Sequence, residues 1–309
     1  MLLSLKMINQ LTPVAPISAV VVTFNEEINI EDCLKSIVGW CQAIFVVDSG
    51  STDNTIELCH RYTDLIYTHP FIDSASQWEW ALQNLPLKTE WVLPMDADCR
   101  ITPLLREQLV AATINPKIGV DGYYTRHQYF FWGVAMRGVK TYNMRLFKPA
   151  KVELDHSELV DFRFVVQGKT EVLSGATNES NKKEDVIDFW IDKQQKFSTR
   201  LAIEEILRAQ AVLSWSIHPN LFGNYDQRII WLKNRWYQLP LFIRPLLYFS
   251  YRYFFKLGFL TGSTGLIFHF LHAFWFRLLV DLKIQNLRRQ LASGEITIEQ
   301  LKTNYAHHF

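Results

Sequence analysis

The stretch Trp91-Val92-Leu93-Pro94-Met95-Asp96-Ala97-Asp98 decides how this chain reads. It is apolar up to Met95, as in a strand buried on both faces, and then ends in two acids flanking an alanine. Working outward toward the N-terminus, two further runs end in the same way. Ile17-Ser18-Ala19-Val20-Val21-Val22-Thr23-Phe24 leads into Asn25-Glu26-Glu27, and Ile44-Phe45-Val46-Val47 leads into Asp48-Ser49-Gly50-Ser51-Thr52-Asp53. Between them Ile30, Leu34, Ile37, Val38 and Cys41 recur every three or four residues, which predicts an amphipathic helix. A second helix is expected near Thr55, capped by the end of the Ser49–Asp53 turn. Ser74-Ala75-Ser76-Gln77 has capping-box spacing ahead of Trp78, Ala81, Leu82 and Leu85, and Thr102-Pro103 places proline at the first position of another helix. Strands alternating with helices predict a parallel α/β sheet over residues 17–115.

Downstream the pattern changes. Short strand-like runs at 122–124, 144–147 and 162–166 suggest an added, mixed part of the sheet. Residues 186–213 form a long helical stretch with Phe189, Lys193, Phe197, Leu201, Glu204 and Ile206 on a mixed face. The organisation predicted is a short extension (1–16), an α/β domain (17–180), a helical extension (181–225), a basic aromatic region (226–290) and a tail (291–309).

A chain of 309 residues that is 49% hydrophobic has ample material for a core, so disordered and collagen-like classes are excluded. Its formal net charge of +1 argues against a nucleic-acid binder coated in basic residues. The charge is unevenly placed. Residues 227–280 hold seven Lys or Arg, sixteen aromatics and no Asp or Glu. Such a strip suits an interface with anionic lipid. It reads as lying on or dipping into the cytoplasmic leaflet; a single span and an oligomer interface are the other two readings. The apolar run Gly258 to Val280 is near spanning length, but Gly262-Ser263-Thr264-Gly265 is expected to break it and Arg277 is costly in a bilayer. Stacking on single-stranded nucleic acid is a further use of such a strip, but no nucleic-acid motif accompanies it. His269 and His272 are read as packing rather than as metal ligands. Cys33, Cys41, Cys59 and Cys99 form no C-x-x-C pair; they read as buried thiols, with Cys33 and Cys41 on one helix. No secretory signal is expected, which places the activity at the cytoplasmic face.

In a parallel α/β sheet, ligands bind beyond the carboxyl ends of the strands. Here three strands end in ligand-capable residues: Thr23 to Glu26, Asp48 to Asp53, and Asp96 to Asp98. Two carboxylates so spaced can share a hard divalent cation, Mg²⁺ or Mn²⁺, whose shell a nucleotide diphosphate would complete. Each acid taken alone is equally a turn residue satisfying its own backbone. Neither a P-loop nor a G-x-G-x-x-G follows the first strand, so phosphate charge must be met by a metal and by side chains.

These three motifs together resemble family 2 glycosyltransferases of the GT-A fold, in particular the lipopolysaccharide-core and exopolysaccharide branch. The resemblance covers about residues 17–170. It implies a Rossmann-type, mostly parallel sheet flanked by helices, followed by a helical, membrane-associated C-terminal region. It implies an inverting transfer from a nucleotide-diphosphate sugar, with UDP-sugars favoured, to a lipid-linked glycan or saccharide acceptor. By the same resemblance Thr23, Asn25, Glu26 and Asp48 fall at the nucleotide, Gln77 beside it, Asp96 near the ribose and metal, and Asp98 at the metal. In similar sequences a basic residue and Asn follow that glutamine; here Trp78 and Glu79 do. An inverting reaction also needs a base for the acceptor hydroxyl. Asp161 is the first choice, Glu158 the second and His156 the third; Arg145 or Arg137 is a candidate contact to the diphosphate. A nucleotidyltransferase and a catalytically degenerate sugar-nucleotide-binding membrane protein are the alternatives.

Overall fold

The computed structural model describes residues 13–306, so most of the short N-terminal extension lies outside it. The chain forms two compact units. The first comprises residues up to 130, 140–154 and 164–182; the second comprises 131–139, 155–163 and the chain from 183 onward.

In the first unit, the β-branched run predicted as a strand forms β1 (Ala15–Thr23), buried along nearly its whole length. Helix α1 (Ile30–Ile37) buries Ile30, Cys33, Leu34 and Ile37 and exposes its charged face. It ends earlier than its apolar spacing suggests. Val38 turns extended, Gly39 takes φ +85°, and Cys41 opens β2 (Cys41–Asp48) instead of closing the helix. Cys33 and Cys41 therefore sit in different elements; all four cysteines are buried free thiols. Then come α2 (Thr55–Cys59), β3 (Ile66–Thr68) and α3 (Ser74–Asn84). The cap of α3 is Asp73, one residue before the expected serine: its carboxylate accepts from the Ser76 amide (2.8 Å) and hydroxyl (2.8 Å). After β4 (Trp91–Asp96) and β5 (Cys99–Ile101), Thr102 caps α4 (Pro103–Ile114), with proline where its missing N–H costs nothing.

Strand β6 (Val120–Phe131) leads to the short β7 (Val134–Ala135). Beyond β8 (Thr141–Phe147), β9 (Val152–Asp155) and β10 (Arg163–Val166) pair separately, and β11 (Lys169–Glu179) returns to the main sheet. The main order is β3-β2-β1-β4-β8-β6-β11-β5. The β3-β2-β1-β4 half is parallel, while β8 runs antiparallel to both β4 and β6. The fold is thus the GT-A-like α/β arrangement expected, with a mixed half after residue 120. Trp40, Trp91 and Leu93 are fully buried in its core.

The second unit is helical. The long predicted helix is α5 (Ile187–Ala209), followed by α6 (Tyr225–Tyr237), with a full capping box at Asn224 and Gln227, and α7 (Arg244–Ser250). A π-helical turn, Tyr251–Phe255, continues α7. The Gly-Ser-Thr-Gly run interrupts the apolar stretch at its first residue, where Gly262 takes φ +71° after a 3₁₀ turn at Gly258–Thr261, but the rest of the run is helical and belongs to α8 (Gly262–His269). Gly265 packs so closely that a Cβ would lie 2.8 Å from the Gly258 carbonyl oxygen. A second π-helical turn (Phe270–Trp275) joins α8 to α9 (Phe276–Ser293), and α10 (Ile298–Ala306) closes the described chain. Gly258–Ser293 is long and apolar enough to cross a membrane by length and composition alone.

Candidate active site

Register brings the three polar strand ends level. Val22 of β1 lies between Val47 of β2 and Asp96 of β4, and Thr23 lies opposite Asp48. The turn after β1 is laced to the turn after β2. Asn25, held at φ +51° where asparagine is tolerated, accepts from the Thr52 amide (2.8 Å), and its own amide donates to Ser51 Oγ (2.8 Å). The Glu26 amide donates to Thr55 Oγ1 (2.7 Å), and Glu27 accepts from the Asn54 amide (3.0 Å).

Asp48 is buried, and both its oxygens serve the turn: Oδ2 accepts from the amides of Gly50 and Ser51 (2.9 Å each) and Oδ1 from Ser51 Oγ (2.5 Å). Thr23 Oγ1, beside it, is buried with no hydrogen-bond partner among the described residues. Gln77 is buried on α3; its amide meets His69 Nδ1 (2.8 Å) and Ser49 Oγ (3.2 Å), and His69 stacks on Trp80. Gln77 thereby braces the β2 turn from behind.

The Asp-x-Asp pair is held from two sides. Asp96, with 47% of its side chain exposed, accepts at Oδ2 from Arg145 Nη1 and Nη2, both at 3.2 Å. Arg145 is buried and also donates to the Pro94 carbonyl (3.1 Å). Its burial alone favours the neutral form, but the negative charge around it, Asp96 included, overrides this and keeps the guanidinium charged. Asp98 Oδ2 accepts from Asn181 Nδ2 (3.0 Å), and Asn181 accepts in turn from Asn29 Nδ2 (3.1 Å), which also donates to Glu26 (2.7 Å). A chain of side chains thus links the first motif to the third. Asn29 and Asn181 were missed by sequence reasoning, being 152 residues apart. An asparagine four residues after Asn25 was a faint signal in the sequence; the structure buries Asn29 fully. A second unforeseen group lies on the mixed half: buried His127 of β6 meets Glu179 of β11 (Nε2 to Oε2, 2.5 Å), and Glu179 faces Cys99 in register.

Two carboxylates at one strand end are hard oxygen donors of the number that Mg²⁺ or Mn²⁺ takes from protein when phosphates supply the rest. Among the described residues no cluster of three or more His, Cys, Asp or Glu side chains gathers for a metal. The donor chemistry of Asp96 and Asp98 fits a hard divalent cation that takes its remaining ligands from elsewhere.

The expected bases lie in the second unit. Glu158, with 3% of its side chain exposed, accepts from Arg163 Nε (3.0 Å) and Nη2 (2.9 Å) and pairs with Lys233. Burial opposes its charge, but Lys233 and Arg163 prevail and hold the carboxyl below its usual range. Asp161 is 64% exposed, with Lys233 Nζ 3.9 Å away. His156 is exposed and Arg137 belongs to this unit as well.

Comparison with known proteins assigns the family. The model of the family described as "Glycosyl transferase family 2" matches residues 18–168. A relative, the lipopolysaccharide core biosynthesis glycosyltransferase LpsC of Rhizobium meliloti (strain 1021), is 30% identical over 203 residues, covering 63% of this chain and 73% of LpsC. The chain belongs to glycosyl transferase family 2. An uncharacterized glycosyltransferase of Rickettsia bellii is 29% identical over 93 residues, which is 30% of this glycosyltransferase and 31% of that protein. Among solved structures, S. aureus TarS 1-349 is similar over 90% of this chain and 91% of its own at 14% identity, with a TM-score of 0.39. Glucosyl-3-phosphoglycerate synthase from Mycobacterium tuberculosis, crystallised with Mg²⁺ and UDP, is similar over 41% of this chain and 48% of its own, at 21% identity and a TM-score of 0.31. In this glycosyltransferase the matched segment contains all three strand-end motifs.

Proposed function

We propose that this glycosyltransferase takes a sugar from a nucleotide-diphosphate donor, a UDP-sugar in the first instance, and transfers it with inversion to a lipid-linked or lipopolysaccharide-type saccharide. The single observation that carries the donor reading is the level row of Thr23, Asp48 and the Asp96–Asp98 pair at the carboxyl edge of a parallel sheet. Asp96 and Asp98 hold Mg²⁺ or Mn²⁺ in this reading; the cation, when bound, neutralises charge on the departing diphosphate. The chain's own residues then divide the work. The unpartnered Thr23 hydroxyl is offered to the nucleotide, since a buried hydroxyl left unpaired costs about 1–3 kcal/mol. Asp48 and Gln77 fix the turn that receives the nucleotide, and Asn25 and Glu26 fix its neighbour. Arg145 acts as a positioning residue on Asp96, not as the diphosphate contact first expected.

For the base, Asp161 is preferred to Glu158. A carboxylate locked between an arginine and a lysine is a poor proton acceptor, whereas an exposed one is free to approach an acceptor hydroxyl. The acceptor reading rests on the second unit. Leu246, Leu247, Tyr251, Phe254, Phe255 and Leu260 expose apolar surface in a segment without acids, which suits attachment to the cytoplasmic leaflet of the inner membrane.

The test is release of nucleotide diphosphate from a panel of UDP-, GDP- and dTDP-sugars with Mn²⁺. One donor is expected to be turned over, with the activity abolished by chelation. Release of pyrophosphate from nucleoside triphosphates instead would favour the nucleotidyltransferase alternative. Binding of a donor without any turnover, in the presence of candidate acceptors, would favour the degenerate one.

A further inference from the structure

The second unit deals with its buried arginines in two different ways. Arg244, fully buried, is paired with Glu205 through two contacts of 3.0 Å and with Asp281 at 2.5 Å. Arg252, only 7% exposed, has no such partner: its Nε and Nη2 are buried and meet no acceptor among the described residues. The Nε of half-buried Arg277 is in the same state. What surrounds these two is aromatic. The Tyr248 ring lies 5.4 Å from the Arg252 guanidinium and 5.6 Å from that of Arg277; Phe268 lies 5.4 Å from Arg252, and Trp236 5.8 Å from Arg277. The Tyr248 side chain also hydrogen-bonds both guanidinia, but a phenol is neutral and ring faces accept few N–H groups, so the two cations gathered there remain short of negative charge.

We propose that Arg252 and Arg277, gathered on the Tyr248 ring, form a binding site for a phosphate group, carried by a lipid headgroup or free in solution. Arginine's planar fork matches phosphate oxygens, and no carboxylate in residues 227–280 competes for it. Tyr248 and Arg277 are half-buried, which gives the pair an edge at the surface. The π-helical turn Tyr251–Phe255 turns Arg252 inward while leaving Phe254 and Phe255 exposed, so the site is bordered by surface suited to acyl chains. The lipid source rests on the interfacial reading above; the two arginines stand without it.

The experiment uses the full chain with vesicles of phosphatidylcholine, alone or doped with a long-chain alkyl phosphate, and separately with inorganic phosphate and pyrophosphate in a thermal-shift assay. Wild type is expected to bind doped vesicles about tenfold more tightly than undoped ones, the equivalent of one good charge-assisted contact. Arg252→Gln combined with Arg277→Gln is expected to erase that ratio, while Lys256→Gln, an exposed neighbouring charge, keeps it. A rise in Tm with free phosphate in wild type and not in the double variant supports the same site with a soluble occupant. Arg252→Lys keeps the charge but loses the fork, and is expected to lose most of the preference with an unchanged near-UV spectrum; it decides the matter should the double variant fail to fold. An unchanged ratio in the arginine variants, or an equal loss in Lys256→Gln, overturns the site. Nucleotide binding at the strand ends is measured on the same variants. If it persists while the phosphate preference proves independent of the arginines, only this inference fails.

Discussion

Glu158→Ala is expected to destabilise the protein by about 3 kcal/mol or more, whereas Asp161→Asn leaves stability nearly unchanged and lowers kcat by about 10²-fold or more. The two carboxylates are three residues apart and chemically alike, and the contrast comes entirely from their surroundings. Removing Glu158 takes from largely buried Arg163 its closer acid, leaving Asp226 at 3.3 Å, and leaves Lys233 facing the exposed Asp161 at 3.9 Å. Asp161, exposed and only loosely approached by Lys233, contributes little to folding. Thermal melting checks the first expectation, and a kcat/KM split checks the second. A base acting on the acceptor hydroxyl shows its loss in kcat with the donor KM unchanged. The pH dependence follows the sign of the Glu158 shift. Its folded carboxyl lies below the ordinary value of 4.5, so its contribution is fully present above that pH and is lost as pH falls below it through the folded value. Wild type should therefore lose stability on acidification below about 4.5 in a step that Glu158→Gln lacks. If Asp161→Asn melts far below wild type, or turns over at the wild-type rate, it is not the base.

Arg145→Met is expected to lower kcat/KM for the donor by about ten- to a hundredfold, the range of a lost charge-assisted hydrogen bond, and Arg145→Lys is expected to restore little of it. The guanidinium reaches Asp96 with two nitrogens and the Pro94 carbonyl with one of them, a fork that a lysine ammonium does not reproduce. Methionine fills the stem's volume, so melting should change far less than Mn²⁺-dependent nucleotide binding. The Kd for the nucleotide, read by calorimetry, separates the roles. A positioning residue weakens binding and turnover together through Asp96. Wild-type affinity in Arg145→Met would show that Asp96 keeps its place without help.

The strand ends were legible in the sequence because each motif is contiguous: an apolar run stops, an acid follows, and a helix pattern begins. The same locality explains the errors. Val38 and Cys41 continue the helical spacing of Ile30 to Ile37, but Val38 is extended and Gly39 at positive φ completes the turn into β2. Asp73 outcompetes Ser74 as a cap because its carboxylate takes both donors of Ser76. The braces of the site were not legible. Asn181 reaches Asp98 only because β11 returns beside β5, placing Asn178 opposite Arg100 and Glu179 opposite Cys99. No periodicity encodes that register. Nor does the spacing alone separate Glu158 from Asp161: Arg163 lies five residues from one and two from the other, and only the fold turns it, with the distant Lys233, onto Glu158.

The level edge of β1, β2 and β4 is proposed as a metal-dependent site for a nucleotide diphosphate. Calorimetric titration of UDP, GDP and dTDP into the full chain with Mn²⁺, on wild type and Asp98→Asn, tests it most directly. One nucleotide is expected to bind tightly with the metal and weakly without it, and Asp98→Asn to remove the metal dependence while leaving the fold intact. Failure of well-folded wild-type protein to bind any of the three, or binding indifferent to both Mn²⁺ and Asp98, would contradict it.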